Sequence, residues 1–108
     1  MKVSVVLPAK NEAGGLPRTL EGVRSVMPEV ELIVVDDGSS DDTPGLAAAL
    51  GARVIRSPYS MGNGAAIKRG ARAATGDVIV FMDADGQHDA SCIPRLLQKL
   101  DEGYDMVV

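Results

Sequence analysis

An α/β fold, in three layers with a mainly parallel sheet built from Rossmann-like βαβ units, is predicted by three observations. Short unbroken runs of β-branched residues recur along the chain, as strands covered on both faces require. Helical apolar repeats separate these runs, and neighbouring parallel strands need such crossovers. Polar loops rich in carboxylates and amides follow most of the runs, at the strand ends where open α/β sheets collect ligands.

The strands are "VSVVLP", "ELIVVDD", "ARVIRS" and "DVIVFMD", and "YDMVV" closes the chain as a fifth. After the first, Leu16, Leu20, Val23 and Met27 recur at intervals of four, three and four, which is one face of a helix. Thr43 followed by Pro44 predicts a cap and first-turn pair for "PGLAAAL", and Gly51 stops that helix. "GNGAAIKRGARAATG" predicts a helix whose alanine and glycine face lies close on a sheet, with Gly76 ending it. Ile93, Leu96, Leu97 and Leu100 give the apolar face of a last helix, with Asp89 as its N-cap and Pro94 in an early turn. Repeats, linkers and low-complexity tracts are absent from the sequence.

A chain of 108 residues suits one small domain, and 45% hydrophobic content is enough for a core. Aromatics are only 3%, so small and branched side chains must fill that core. Eleven basic against 15 acidic residues give a net charge of -4, which argues against non-specific attraction to nucleic-acid phosphates. The single cysteine, Cys92, has no internal disulfide partner, which fits a reducing compartment; it is expected as a small half-buried residue near a helix start. The apolar part of "MKVSVVLPAKNE" is too short for a signal peptide and runs into Lys10 and Glu12. No apolar run approaches the ~20 residues of a membrane span, so a cytoplasmic setting is expected. The chain stops at "DMVV", inside a strand, so residues 1–108 are expected to be one domain truncated at its C-terminus. A sheet cut there leaves an edge that invites self-association.

The chemistry is expected from "FMDADGQHD". If the chain stays extended, the side chains of Asp83 and Asp85 leave on the same side with α-carbons about 7 Å apart. Two carboxylates so close repel, and a hard divalent cation with oxygen ligands removes the conflict while leaving positions for phosphate. An isolated D-x-D is short and common in turns, so it also suits a polar loop that caps the next helix. A second acidic pair, Asp36 and Asp37, ends the second run, and adjacent strand residues face opposite ways. One of that pair is therefore expected in a ligand crevice and the other beside a loop or helix. His88, the only histidine, is expected on a solvated loop more than at a metal. Gly62 and Gly64 either cradle phosphate at a helix N-terminus or, more commonly, permit a turn and close helix packing.

"VSVVLPAKNE", "ELIVVDDGSSDDT" and "ATGDVIVFMDADGQHD", in that order and spacing, resemble the nucleotide-sugar-binding half of the inverting family 2 glycosyltransferases of the GT-A fold. They are most similar to the polyprenyl-phosphate glycosyltransferases related to dolichyl-phosphate mannose synthase. The resemblance covers nearly the whole chain. It implies that Pro8, Lys10 and Glu12 line the nucleotide pocket and that Asp37 accepts a hydrogen bond from the base. It implies further that Asp83 and Ala84 contact ribose or diphosphate, that Asp85, with Asp83 beside it, holds Mg²⁺ or Mn²⁺, and that Gln87 lies near the sugar or phosphate. The sequence departs at Lys10, where many relatives carry an aromatic residue that packs on the base. Either the aliphatic stem of Lys10 substitutes for the ring, or the base is held more loosely.

The implied reaction moves a sugar from a UDP- or GDP-linked donor to an acceptor, and similarity to the lipid-phosphate branch implies a polyprenyl phosphate as that acceptor. That acceptor would set the full-length protein at the cytoplasmic face of a membrane. An inverting transfer needs attack from the face opposite the leaving group, assisted by a protein base unless the acceptor is already an anion such as a lipid phosphate. No catalytic base is assigned, because in the relatives the acceptor site lies on chain that would follow residue 108; nucleotide binding is expected of this piece, and turnover is not.

Three other functions share part of this pattern. A dinucleotide-binding fingerprint should follow the first strand, whereas Gly62 and Gly64 follow the third, with Ile67 where a third glycine belongs. A phosphoacceptor receiver domain would close its first strand with the acidic pair, where this chain has "PAKNE". A non-catalytic nucleotide-binding module shares every binding feature and differs only in turnover.

Overall fold

The computed structural model describes residues 2–57 and 59–82. The expected fifth strand, the last helix and the whole segment from Asp83 onward, with Ala84, Asp85, Gln87, His88, Asp89 and Cys92, lie outside the described residues.

Among the described residues four parallel strands form the sheet: β1 (Val3–Ala9), β2 (Glu31–Asp36), β3 (Arg53–Arg56) and β4 (Val78–Phe81), in the spatial order β3-β2-β1-β4. Their crossovers are α1 (Leu16–Val26), α2 (Thr43–Ala49) and α3 (Asn63–Ala73). The chain steps outward from β1 to β3 and then returns to the far side of β1. That reversal makes a topological switch point between β1 and β4, the place where open α/β sheets bind ligands. Register brings Ala9 level with Asp36, and Asp36 level with Arg56, so the loops after β1, β2 and β3 emerge side by side.

Strand alternation sorts the core into two layers. Val5, Leu7, Leu32, Val34 and Val80 face α1 and α2, whereas Val6, Ile33 and Val35 face α3. Leu16, Leu20 and Val23 of α1 are fully buried, each contributing roughly 1.5–3 kcal/mol by leaving water. On the other face Ala66 and Gly70 let α3 sit low on the sheet. A β-carbon on Gly70 would overlap Val6 Cγ1 and lie 3.1 Å from Val35 Cγ2. The close-packed alanine and glycine face expected from the sequence is therefore present.

Local boundaries differ at two places. Thr43 does not cap α2; it is the first helical residue, after Asp42, because its hydroxyl is engaged by another loop. Helix α3 ends at Ala73, not at Gly76. Gly76 has a different task, since a β-carbon there would come within 2.5 Å of Ser4 Oγ and 2.8 Å of Ser4 N where the chain turns into β4. Gly51 does stop α2, with a left-handed φ of 83°.

The amino end of the sheet is strapped by Glu31. Its carboxylate accepts hydrogen bonds from Ser4 Oγ at 2.7 Å, Thr75 N at 2.9 Å and Thr75 Oγ1 at 2.9 Å, with Lys2 Nζ 3.8 Å away. These donors, the Thr75 N–H foremost, hold its pKa down to about 2. The strap lies at the opposite end of the strands from the polar loops, so it serves the fold rather than the crevice.

Candidate functional site at the carboxyl edge of the sheet

Two of the loops at the carboxyl edge are laced into one unit. Asn11, in left-handed conformation with φ of 54°, donates its N–H to Ser39 Oγ at 2.8 Å. Its side-chain oxygen accepts from Ser40 N at 2.8 Å and Ser40 Oγ at 3.2 Å. One residue on, Glu12 N donates to Thr43 Oγ1 at 2.9 Å, and Ala13 N donates to Asp41 Oδ2 at 3.2 Å. Asp41 also accepts from Thr43 N at 3.0 Å and from the Thr43 hydroxyl, which lowers its pKa, the hydroxyl contributing most. These bonds fix the backbone that carries Lys10 and Glu12.

The loop after β3 is fastened to the same unit by Asp37. Its Oδ1 accepts from Met61 N at 2.7 Å, and its Oδ2 accepts from Gly62 N at 3.1 Å and Ser60 Oγ at 3.0 Å. Asp37 is buried, yet its pKa is lowered, first by the Met61 N–H and then by Ser60, Gly62 and the Lys10 charge, because these together outweigh the cost of burial. Gly38, with φ of 81°, backs onto this loop: a β-carbon there would stand 3.0 Å from Ser60 N. Lys10 Nζ closes the ring by donating to Ser60 Oγ at 3.1 Å.

Asp36 faces the other way, as strand alternation requires. It is fully buried, with Oδ2 at 3.4 Å from Ser39 N and 3.7 Å from Arg56 Nε, while its Oδ1 has no hydrogen-bond partner among the described residues. Arg69 of α3 ties down the end of β3 through the Ser57 hydroxyl and the Arg56 carbonyl, the latter at 3.2 Å.

Of the site residues expected from the sequence, Pro8 is half-buried near the end of β1, Lys10 is exposed on the loop that follows, and Glu12 is half-buried beside Thr43. Asp37 joins the first two strand-end loops to the third. Asp83, Ala84, Asp85 and Gln87 lie outside the described residues, and among the described residues no three His, Cys, Asp or Glu side chains group as metal ligands. Three contributors were not singled out in the sequence, Asn11, Asp41 and Ser60, and Thr43 was expected only as a helix cap. Asn11 carried a usable signal, because asparagine is enriched among non-glycine residues with positive φ. Ser60 carried none.

A parallel sheet with helices on both faces and polar loops laced along its carboxyl edge defines a doubly wound α/β domain. Comparison with known proteins makes this specific: the chain belongs to glycosyl transferase family 2, whose profile matches residues 4–108. It is 41% identical over 105 residues to a protein of Mycobacterium tuberculosis described as an uncharacterised glycosyltransferase, covering 97% of this chain and 46% of that protein. It is 40% identical to the undecaprenyl-phosphate 4-deoxy-4-formamido-L-arabinose transferase of Klebsiella pneumoniae, covering 98% of this chain and 36% of that one. Among solved structures, glucosyl-3-phosphoglycerate synthase of M. tuberculosis in complex with UDP superposes with a TM-score of 0.81 at 37% identity, over 94% of this chain and 40% of that one. The same enzyme with Mn²⁺, UDP and glucosyl-3-phosphoglycerate gives 0.79. The chain thus spans less than half the length of these relatives. Its fold is the parallel α/β sheet of the GT-A glycosyltransferases.

Proposed function

We propose that this chain is the nucleotide-sugar-binding part of an inverting glycosyltransferase, taking a UDP-linked sugar at the carboxyl edge of β1, β2 and β4 for transfer to a polyprenyl phosphate. One observation carries the proposal. The loops after β1, β2 and β3 are fixed around Asp37 at the carboxyl edge, one strand from the switch point, and β4 leads in sequence into Asp83-Ala84-Asp85. The choice of UDP is supported by the UDP complex of glucosyl-3-phosphoglycerate synthase, and the choice of a lipid phosphate by the Klebsiella relative.

In this proposal Pro8, Lys10 and Glu12 line one wall, and the lacing of Asn11 and Thr43 sets that wall before ligand arrives, so little ordering entropy remains for binding. Asp37 receives the base. A carboxylate has about four acceptor positions, and three are filled here, which leaves one on Oδ1 for a ring N–H. Asp83 and Ala84 contact ribose or diphosphate, Gln87 lies near the sugar, and Asp85 with Asp83 holds Mn²⁺ or Mg²⁺, for which Mn²⁺ in the synthase complexes is the support. Bound there, the cation would neutralise charge on the departing diphosphate. The acceptor, already an anion, would attack the anomeric carbon without a protein base. A lipid acceptor places the full-length protein at a membrane surface; no helix among the described residues is long and apolar enough to cross one.

Calorimetry tests this directly. UDP and GDP are titrated with and without Mn²⁺ into the wild type and Asp85→Ala. Metal-dependent uptake by the wild type that disappears in Asp85→Ala is expected. Absence of any uptake by the wild type, or metal dependence that survives Asp85→Ala, overturns the assignment.

A further inference from the structure

Resting on the lipid-phosphate reading above, we infer that the layer formed by α3 and the adjoining side of β3 is a docking surface for an anionic phospholipid bilayer. Charge falls along the chain in two blocks. Residues 43–76 carry five cations, Arg53, Arg56, Lys68, Arg69 and Arg72, and no acidic residue. The rest of the chain carries all 15 carboxylates against six cations. The formal charges of the two parts are +5 and -9, so a chain that is acidic overall contains one uninterrupted basic block.

The fold gathers four of these five cations on one side of the sheet. Arg53 is level with Ile33 and shares its face, and its guanidinium donates to the Ala73 carbonyl at the end of α3 at 3.2 Å. Arg69 reaches the other end of β3, at the Ser57 hydroxyl and the Arg56 carbonyl. Ala66, Gly70 and Ala73 turn the small face of α3 to the sheet, so Lys68 and Arg72, one turn apart, stand on the outer face, and both are exposed. Arg56 leaves on the other face, toward Asp36. Arg53, Lys68, Arg69 and Arg72 have no carboxylate partner among the described residues. Guarding the outer strand against edge pairing accounts for Arg53 and Arg56 but not for Lys68 and Arg72 on the helix.

An apolar feature in the same stretch selects a bilayer as the occupant. Of three exposed large apolar side chains among the described residues, two, Tyr59 at 66% and Met61 at 44%, stand on the loop between β3 and α3. Lipid headgroups take the cations, while a tyrosine ring and a methionine enter the boundary below them. A nucleic-acid duplex would use the cations and leave Met61 in water. The same loop donates Met61 N to Asp37 at 2.7 Å, so docking through it brings the candidate site to the bilayer surface, where a lipid phosphate would lie.

The test is partitioning of the chain onto vesicles of phosphatidylcholine alone and of phosphatidylcholine mixed with phosphatidylglycerol. Each Lys or Arg at an anionic leaflet contributes about fivefold, so the wild type should prefer the mixed vesicles by at least about tenfold, and salt should erode that preference. Lys68→Glu and Arg18→Glu change the net charge equally, but Arg18 is exposed on α1, across the sheet. Lys68→Glu should lower binding to the mixed vesicles by about tenfold or more, and Arg18→Glu by less than about twofold. Equal losses would mean that net charge alone sets the binding, and the inference falls. The chain has no tryptophan, so Tyr59→Trp gives a single indole reporter on the loop. Its emission should shift to the blue on mixed vesicles; an unmoved emission from bound protein overturns the docking geometry. A wild type that ignores the mixed vesicles, or binds a DNA duplex more tightly at the same salt, also sinks the inference. Calorimetry with UDP decides the nucleotide reading separately. Vesicle binding without nucleotide uptake would support the docking face and remove the transferase reading, and the opposite result would remove the face alone.

Discussion

Gly70 offers a prediction whose sign is decided by packing. Alanine is the better helix former by about 1 kcal/mol, so Gly70→Ala in an isolated α3 would stabilise it. In the folded chain the new methyl would overlap Val6 Cγ1 and sit 3.1 Å from Val35 Cγ2. Both valines are fully buried on strands held on each side by neighbours, so neither can retreat without moving the sheet. Overpacking of this kind costs about 1–3 kcal/mol, and with two rigid neighbours the upper half of that range applies. The net expectation is a loss of about 1–2 kcal/mol. Gly64, in the first turn of the same helix, has nothing among the described residues within 4 Å of its would-be β-carbon. Gly64→Ala should therefore be neutral or stabilising by a few tenths to about 1 kcal/mol. Urea unfolding followed by far-UV circular dichroism measures both, with an unchanged m-value as the sign that only stability moved. In Gly70→Ala combined with Val6→Ala, the losses should sum to at least about 1 kcal/mol less than the singles. A stabilised Gly70→Ala would refute the seating of α3 on the sheet, and with it the anchoring of the loop that leads from Ser57 to Gly62.

Other predictions concern the strap and the laced loops. Glu31 has its carboxyl lowered from 4.5 to about 2, so its stabilisation is complete above pH 4.5 and is lost as pH falls from 4.5 toward 2. A shift of that size corresponds to a ceiling of about 3 kcal/mol, and partial exposure of the side chain reduces it to roughly 1–2. The stability difference between wild type and Glu31→Gln should accordingly shrink across that window in pH-dependent urea titrations; a difference that is constant with pH contradicts the strap. Asn11→Ala should cost about 2 kcal/mol, by combining the left-handed φ of a residue with a β-carbon and the loss of two bonds to Ser40. Asn11→Gly removes only the bonds and should cost about 1 kcal/mol less; equal losses would show that the φ strain is absent.

The layers of this fold were legible because their causes are local. "VSVVLP" and "ELIVVD" are apolar at every position that two covering layers demand, and the alternation of Val5 and Val6 places them on opposite faces. The α1 face was equally plain in Leu16, Leu20 and Val23. What could not be read were tasks set by distant chain. Thr43 has the chemistry of a cap, but Glu12 N, from the loop after β1, takes its hydroxyl. Gly76 looks like a helix stop, but its lack of a side chain answers to Ser4, which approaches from the start of the chain. At the candidate site, the importance of Asp37 showed in its position at a strand end. The role of Ser60 depends on Lys10 and Asp37 arriving from two other strand ends, and no neighbouring residue announces that meeting.

Paramagnetic broadening by Mn²⁺ in the presence of UDP tests most directly whether nucleotide and metal meet at the carboxyl edge. Amide resonances of Lys10, Asn11, Glu12, Asp37 and Gly38 should broaden first, while those of Lys2, Glu31 and Thr75, about 20–26 Å away along the strands, should stay sharp. Broadening centred on the Glu31 end, or spread evenly over the domain, would contradict the account.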